Sequence, residues 1–208
     1  MSPTHKLQHL TERELPRATA MIGRAFHKDP LSVYVYPDEA TRTLRLPPMF
    51  NIALRYTLRY GEITTTAEIA GAACWLPPGN TTASIGQLLR AGALTASLKM
   101  GWPGLRRMKH AEDFTQHMHT RCITEPHWYL WVLGVDPACR GQGVGGTLLH
   151  AGLERADASA LPCYLETMNP HNVPLYQKFG FAIASEANIP NSNVHTWAMV
   201  RPARASTK

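Results

Sequence analysis

The chain has 208 residues, 44% of them hydrophobic and 17% charged, with a formal net charge of +6 and a pI near 9.3. That composition excludes a disordered majority and suits one compact domain with a real core. The charge is compatible with nucleic acid, an anionic membrane or a small polyanion, but the basic residues are scattered, with Arg106-Arg107-Met108-Lys109 the tightest cluster.

Met1 to Leu10 is polar and carries no apolar core of signal-peptide type; Leu7-Gln8-His9-Leu10 reads as a short edge strand. Thr11, with Glu14 three residues on, reads as a capping box. The helix behind it spaces Leu15, Ala18, Ile22, Ala25 and Phe26 along one stripe. Asp29-Pro30 ends it, and Leu31 to Asp38, with Tyr34, Tyr36 and Pro37, reads as an aromatic loop. A second helix is expected over Glu39–Tyr60, broken or kinked at Pro47-Pro48. Glu62–Thr66 and Ile69–Leu76 read as an antiparallel hairpin. Ser84–Met100 reads as one helix ended by Trp102-Pro103-Gly104, and Leu105–Arg121 as another. On the latter, His117 and His119 are two apart and point away from each other, so exposed or capping histidines are expected and no metal site. Cys74, Cys122, Cys139 and Cys163 lack CxxC or zinc spacing and read as reduced thiols of a cytosolic protein. No uninterrupted apolar run reaches the ~20 residues needed to span a bilayer. The expectation is a soluble, cytoplasmic chain with no membrane partner.

The most informative stretch follows. Trp128 to Val135 is apolar, with His127–Val135 the expected central strand, and it stops at Asp136-Pro137, where proline cannot continue a ladder. Then comes Arg140-Gly141-Gln142-Gly143-Val144-Gly145-Gly146, followed by helical spacing from Thr147, with Gly145–Ser159 the expected helix. A strand, a glycine loop and a helix N-terminus together aim several backbone N–H groups at one anion. Glycines let the chain approach a bulky phosphate. Beyond it, Cys163–Thr167 reads as a strand, Asn172–Phe179 as a short helix stopped by Gly180, and Phe181–Ala184 and His195–Val200 as two further strands.

Two phosphate ligands compete for the loop. Gly141 to Gly146 satisfies GxGxxG and Glu166 follows at about the dinucleotide-fold distance. Against a nicotinamide site stand the intervening Asp136 to Arg140, the late position of the unit, and the short chain after Glu166. A Walker-type loop is excluded because Gly-Lys-Ser/Thr is absent.

Arg140-Gly141-Gln142-Gly143-Val144-Gly145 is similar to the Arg/Gln-x-x-Gly-x-Gly/Ala loop of the GCN5-related N-acetyltransferases (GNAT). Asn172-Val173-Pro174-Leu175-Tyr176-Gln177-Lys178-Phe179-Gly180-Phe181 resembles their Asn-x-x-Leu-Tyr-x-x-x-Gly-Phe signature. Within the family, Gly-Val-Asp-Pro, Leu-Glu-Thr and Asn-x-Pro-x-Tyr resemble the puromycin N-acetyltransferase-like group. The resemblance implies an α/β GNAT fold: a mixed central sheet of about six to seven strands, splayed between the two strands that flank the CoA site, with helices on both faces. It implies a single domain over 1–208, with a CoA-binding core at about 127–184, residues 1–126 shaping the acceptor site and 201–208 a flexible tail.

It also implies acetyl-CoA as cosubstrate, no metal, and a small-molecule primary amine as acceptor. Pantetheine would pair with main chain at Leu133, Gly134 and Val135, and Asn172 would contact its arm. The pyrophosphate would sit on Arg140, Gly141, Gln142, Gly143, Val144 and Gly145, and loop physics extends this to Gly146 and Thr147. Acetyl transfer then needs three things: a base for the amine, donors for the oxyanion of a tetrahedral intermediate, and an acid for the departing thiolate. Tyr176, on the same helix face as Asn172, is the candidate acid. Main-chain N–H at Val135 is the candidate oxyanion donor, and Glu166 the candidate base, through a water. Asp29, Glu112 and Asp113 are weaker candidates.

Three other readings stay open. They are a non-catalytic CoA-binding sensor or scaffold, a Rossmann-type NAD(P) enzyme, and a nucleic-acid binder. The last is disfavoured because aromatic residues do not alternate with Lys/Arg. A homodimer is also left open.

Overall fold

The computed structural model describes residues 6–204. Its strands are β1 (Leu7–His9), β2 (Glu62–Thr66), β3 (Gly71–Leu76), β4 (Trp128–Val135), β5 (Cys163–Thr167), β6 (Ala182–Asn188) and β7 (His195–Arg201). Among the described residues these form one seven-stranded sheet in the order β1-β2-β3-β4-β5-β7-β6. Every neighbouring pair is antiparallel except β4–β5. Helices are α1 (Leu15–Ala25), α2 (Pro30–Val35), α3 (Glu39–Tyr60), α4 (Ile85–Arg90), α5 (Ala93–Met100), α6 (Trp102–Cys122), α7 (Val144–Ala158) and α8 (Val173–Lys178). The expected α/β architecture is present, with helices on both faces. A doubly wound sheet is not: a Rossmann unit needs successive parallel strands, and here a single parallel pair stands among antiparallel ones.

Side-chain alternation divides the core. Val132 of β4 joins Ala72 and Cys74 of β3 against α1 and α3. Leu130 joins Cys163 and Leu165 of β5 against Val144, Leu148, Leu149 and Leu153 of α7. Between them the β3–β4 register passes from Cys74↔Val132 to Trp75↔Leu130, so Trp131 is an extra residue. This bulge breaks the period of two: Trp131 and Val132 both pack toward the α1–α3 layer.

Several local expectations change. Leu31 to Asp38 is not wholly a loop: Asp29 caps α2, its carboxylate accepting from Leu31 N–H at 3.0 Å, and Pro30 occupies the first turn, where no N–H is needed. Pro47 and Pro48 lie inside α3, which is continuous across them. Ser84–Met100 is two helices, because Gly92 at φ +89° interrupts it after Arg90. Trp102-Pro103-Gly104 opens α6 rather than ending a helix, with proline again in the first turn. Arg201 is no part of a flexible tail. It is the last residue of β7, and its guanidinium is 3% exposed and bonded to both Asp157 oxygens at 2.7 and 2.8 Å. Residues 1–5 and 205–208, which include parts of the expected leader-free N-terminus and tail, lie outside the described residues.

Candidate active site

The site begins where the parallel pair stops. β4 and β5 share only three rungs, Trp128↔Cys163, Tyr129↔Tyr164 and Leu130↔Leu165. Beyond them the strands separate, and the rest of β4 pairs with β3 alone. Asp136 N–H donates to Ala70 O at 2.8 Å, so by the alternation of an antiparallel ladder Gly134 also turns its N–H and C=O to β3. Leu133 and Val135 turn theirs into the opened seam. Gly134 was expected to contribute main-chain groups alongside them. Its contribution here is the missing side chain: a Cβ would stand 2.6 Å from Ile22 Cδ1 and 3.0 Å from Phe26, and its absence lets α1 press onto β4.

The glycine loop lies at the end of this free edge. Asp136 caps a single 3-10 turn, Pro137–Cys139, and is held by the Arg24 guanidinium. Arg140 Nη2 donates to Ala25 O at 2.6 Å, fastening the loop to the end of α1. Gly141 and Gly143 have φ of +75° and +83°, and a Cβ on either would meet no protein atom within 4 Å. The loop therefore curls around open space. Thr147 N–H is the first of α7 to find an intrahelical carbonyl, Gly143 O at 3.0 Å. The N–H groups of Val144, Gly145 and Gly146 point past the helix end with no main-chain acceptor among the described residues. These features suit a pyrophosphate: a cradle that side chains would fill, free donors, and the positive end of a helix.

Glu166 is the first β5 residue past the last rung, on the side of the sheet where α6 packs. Desolvation pushes its carboxyl up to about 7, and the nearby Tyr129 and Tyr164 hydroxyls partly offset this. Tyr164 Oη has no hydrogen bond of good geometry in the structure. Next along β5, Thr167 Oγ1 receives Asn172 Nδ2 at 3.4 Å, which sets Asn172 against the β5 wall of the seam.

Tyr176 of α8 comes from the opposite layer. Its ring packs with Leu130, Leu165 and Phe181, and its hydroxyl has no hydrogen-bond partner among the described residues. Burial, and secondarily the Asp29 carboxylate, raise its pKa above the usual tyrosine range. Asp29 itself is pushed up to about 6 by burial, against two opposing backbone N–H bonds. Asp29, which caps α2, and Tyr176 of α8 are thus near enough for their charges to interact although they come from different elements. Spacing alone placed Asp29 only weakly.

Sequence reasoning missed Tyr129 and Tyr164 as neighbours of Glu166; the parallel rung that aligns them is a non-local fact. It also misplaced His119, which is buried rather than exposed or capping. His119 stacks on Tyr164 at 4.0 Å, with its Nε2 2.7 Å from His127 Nε2. Desolvation, then the His127 charge, lower its pKa to about 4. Among the described residues no group of three or more His, Cys, Asp or Glu is placed to hold a metal ion.

Residues 95–181 match the family model described as Acetyltransferase (GNAT) family. A Corynebacterium glutamicum structure, described as histone acetyltransferase HPA2 and related acetyltransferase, superposes with a TM-score of 0.69 over 100% of both chains at 21% identity. The fold is the GNAT fold. Arylalkylamine N-acetyltransferase 2 of Aedes aegypti shares it, with a TM-score of 0.62 at 13% identity over 97% of this chain and 100% of its own. In sequence, an uncharacterized N-acetyltransferase of Schizosaccharomyces pombe is 24% identical over 94% of this chain and 83% of its own. A mycothiol acetyltransferase of Corynebacterium aurimucosum is 36% identical, but over 46% of this chain and only 28% of its own length. The family model and the relatives in sequence carry acetyltransferase descriptions, and the solved structures share the fold. Among the described residues no helix is long and apolar enough to cross a membrane.

Proposed function

We propose that the protein is an acetyl-CoA-dependent N-acetyltransferase whose acceptor is the primary amine of a small molecule. The observation that carries this reading is the seam: a free strand edge at Leu133 and Val135 running toward a helix start where the N–H groups of Val144, Gly145 and Gly146 find no main-chain acceptor among the described residues, with a half-buried carboxyl and a buried phenol beside it. Acetyl-CoA, when bound, supplies the acyl group as a thioester. Leu133 and Val135 offer strand-like pairing to its amides, Asn172 flanks the arm, and Arg140 to Thr147 hold the pyrophosphate. Val135 N–H donates to the carbonyl oxygen as negative charge develops there. Glu166, poised near neutrality, accepts the amine proton through a water, since a base works best with its pKa near the working pH. Tyr176 stays protonated throughout the physiological range and donates to the departing thiolate, whose pKa is ~8.5 by analogy with cysteine.

The test is a panel of primary amines, puromycin first because of the group resemblance, scored for thiol release from acetyl-CoA. For an amine that turns over, Tyr176→Phe should lower kcat by ~100-fold or more with little change in the acetyl-CoA KM. An unchanged kcat across the pH range would remove Tyr176 from the mechanism. Tight CoA binding with no amine turned over would favour the sensor reading instead.

A further inference from the structure

We infer that the outer face of α4 and α5 is a docking surface for an anionic lipid membrane. Ile85 and Leu89 on α4, Leu94 and Leu98 on α5, and Trp102 at the start of α6 are each between 54% and 79% exposed. Within each helix the pair is four residues apart and shares a face. The α5 pair lies opposite Ala96, which is buried. Isolated exposed leucines need no explanation, but four large apolar side chains on two adjacent short helices, with Trp102 at the start of the next, are a local concentration of exposed apolar surface.

Along this stretch of chain the charge has one sign; in space Asp38, at the start of α3, shares a cleft with Trp102, Arg45 and Arg107. Between Glu68 and Glu112 the chain contains no acidic residue, while Arg90, Lys99, Arg106, Arg107 and Lys109 all lie there. Arg107 is occupied by the Val35 carbonyl and Lys109 by Asp113. Arg90, Lys99 and Arg106 are exposed and have no acidic partner among the described residues. From α3, Arg59 donates to Arg90 O and Arg45 to Lys99 O, fixing both helices in place and adding two cations at their border.

Leucine and isoleucine gain from hydrocarbon, tryptophan from the headgroup boundary, and arginine and lysine from anionic headgroups. A second copy of this chain fits less well, because a two-fold contact would bring two sets of Arg90, Lys99 and Arg106 into one interface. Nucleic acid would satisfy the cations but leave the aliphatic row without a use. This inference is independent of the acceptor proposed above.

The experiment is co-sedimentation of the whole protein with vesicles of phosphatidylcholine plus phosphatidylserine, and of phosphatidylcholine alone. Retention is expected on the mixed vesicles only, falling as salt rises. Leu94→Ser/Leu98→Ser, at exposed positions, should lower partitioning by about tenfold or more, and Arg90→Glu/Lys99→Glu should abolish the preference for phosphatidylserine. No retention of the wild type, or equal retention of the serine variant, would overturn the proposal. So would a wild-type dimer that the serine variant converts to monomer, which assigns the face to a second copy. Retention on duplex DNA without retention on vesicles would assign it to nucleic acid.

Discussion

Burial beside Tyr129 and Tyr164 keeps the Glu166 carboxyl protonated up to about 7, against 4.5 for a solvated glutamate, and this links its charge to stability as well as to chemistry. A pKa raised by folding means that the fold favours the neutral form. That contribution is complete below the unfolded pKa and is lost as pH rises through the folded one. Glu166→Gln is neutral at every pH and keeps it. The melting temperature of the variant should therefore gain on the wild type between about pH 5 and about pH 8, as read by calorimetry. The same variant should lose the limb of kcat/KM that rises near neutrality, with a fall of ~100-fold or more. A limb that persists would move the base elsewhere, with Asp29 the first alternative. Glu166 and Tyr176 could be singled out as candidates, because a strand carboxylate and an Asn–Tyr helix spacing are local patterns. Their surroundings were not, because Tyr129 and Asp29 arrive from distant segments, and Tyr164 meets Tyr129 only through the parallel rung.

The glycines of the loop and of α7 separate binding from stability. Gly143 has φ +83° with open space beyond it, so Gly143→Val strains the backbone by ~1–3 kcal/mol and crowds the cradle. Calorimetric affinity for CoA should fall by at least about tenfold in protein that still folds. Gly152 is the reverse case. A Cβ there would lie 2.0 Å from Nε1 of Trp75, a fully buried indole. Gly152→Ala should cost ~1–3 kcal/mol by overpacking, read as a lower urea midpoint, while folded protein keeps its CoA affinity. Elements were legible where period and punctuation agreed, as at β2 and β5. They were misread where one residue carried the decision. Gly92 divides Ser84–Met100 through a positive φ that composition does not reveal, and Pro30 and Pro103 open helices where proline more often signals an end. The exposed leucines of α4 and α5 share the spacing of a buried stripe, so only the structure shows which way they face.

Over the whole molecule, the GNAT fold places a glycine loop, a carboxyl and a phenol around one parting of two strands. The C-terminal half was readable because two short signatures in order imply the seam between them. The N-terminal half contributes Asp29, the α1 wall and the outward face of α4 and α5, and its meaning lies in contacts across the chain. If the seam holds CoA, ligand binds the folded state alone and should raise the melting temperature in a concentration-dependent way, by about 2.7 kcal/mol of stabilisation at a hundredfold excess over Kd. A melting temperature indifferent to CoA, alongside normal melting otherwise, would count against the site.

The unpaired main chain at Leu133 and Val135 has a further consequence. It is a sheet edge in the middle of the molecule, and bare edges are templates on which extended segments of other chains can add. Here the ligand that the seam accommodates would also act as its guard. Light scattering during storage below the unfolding transition should rise faster without CoA than with it, which would link the protein's solubility to the supply of the proposed cosubstrate.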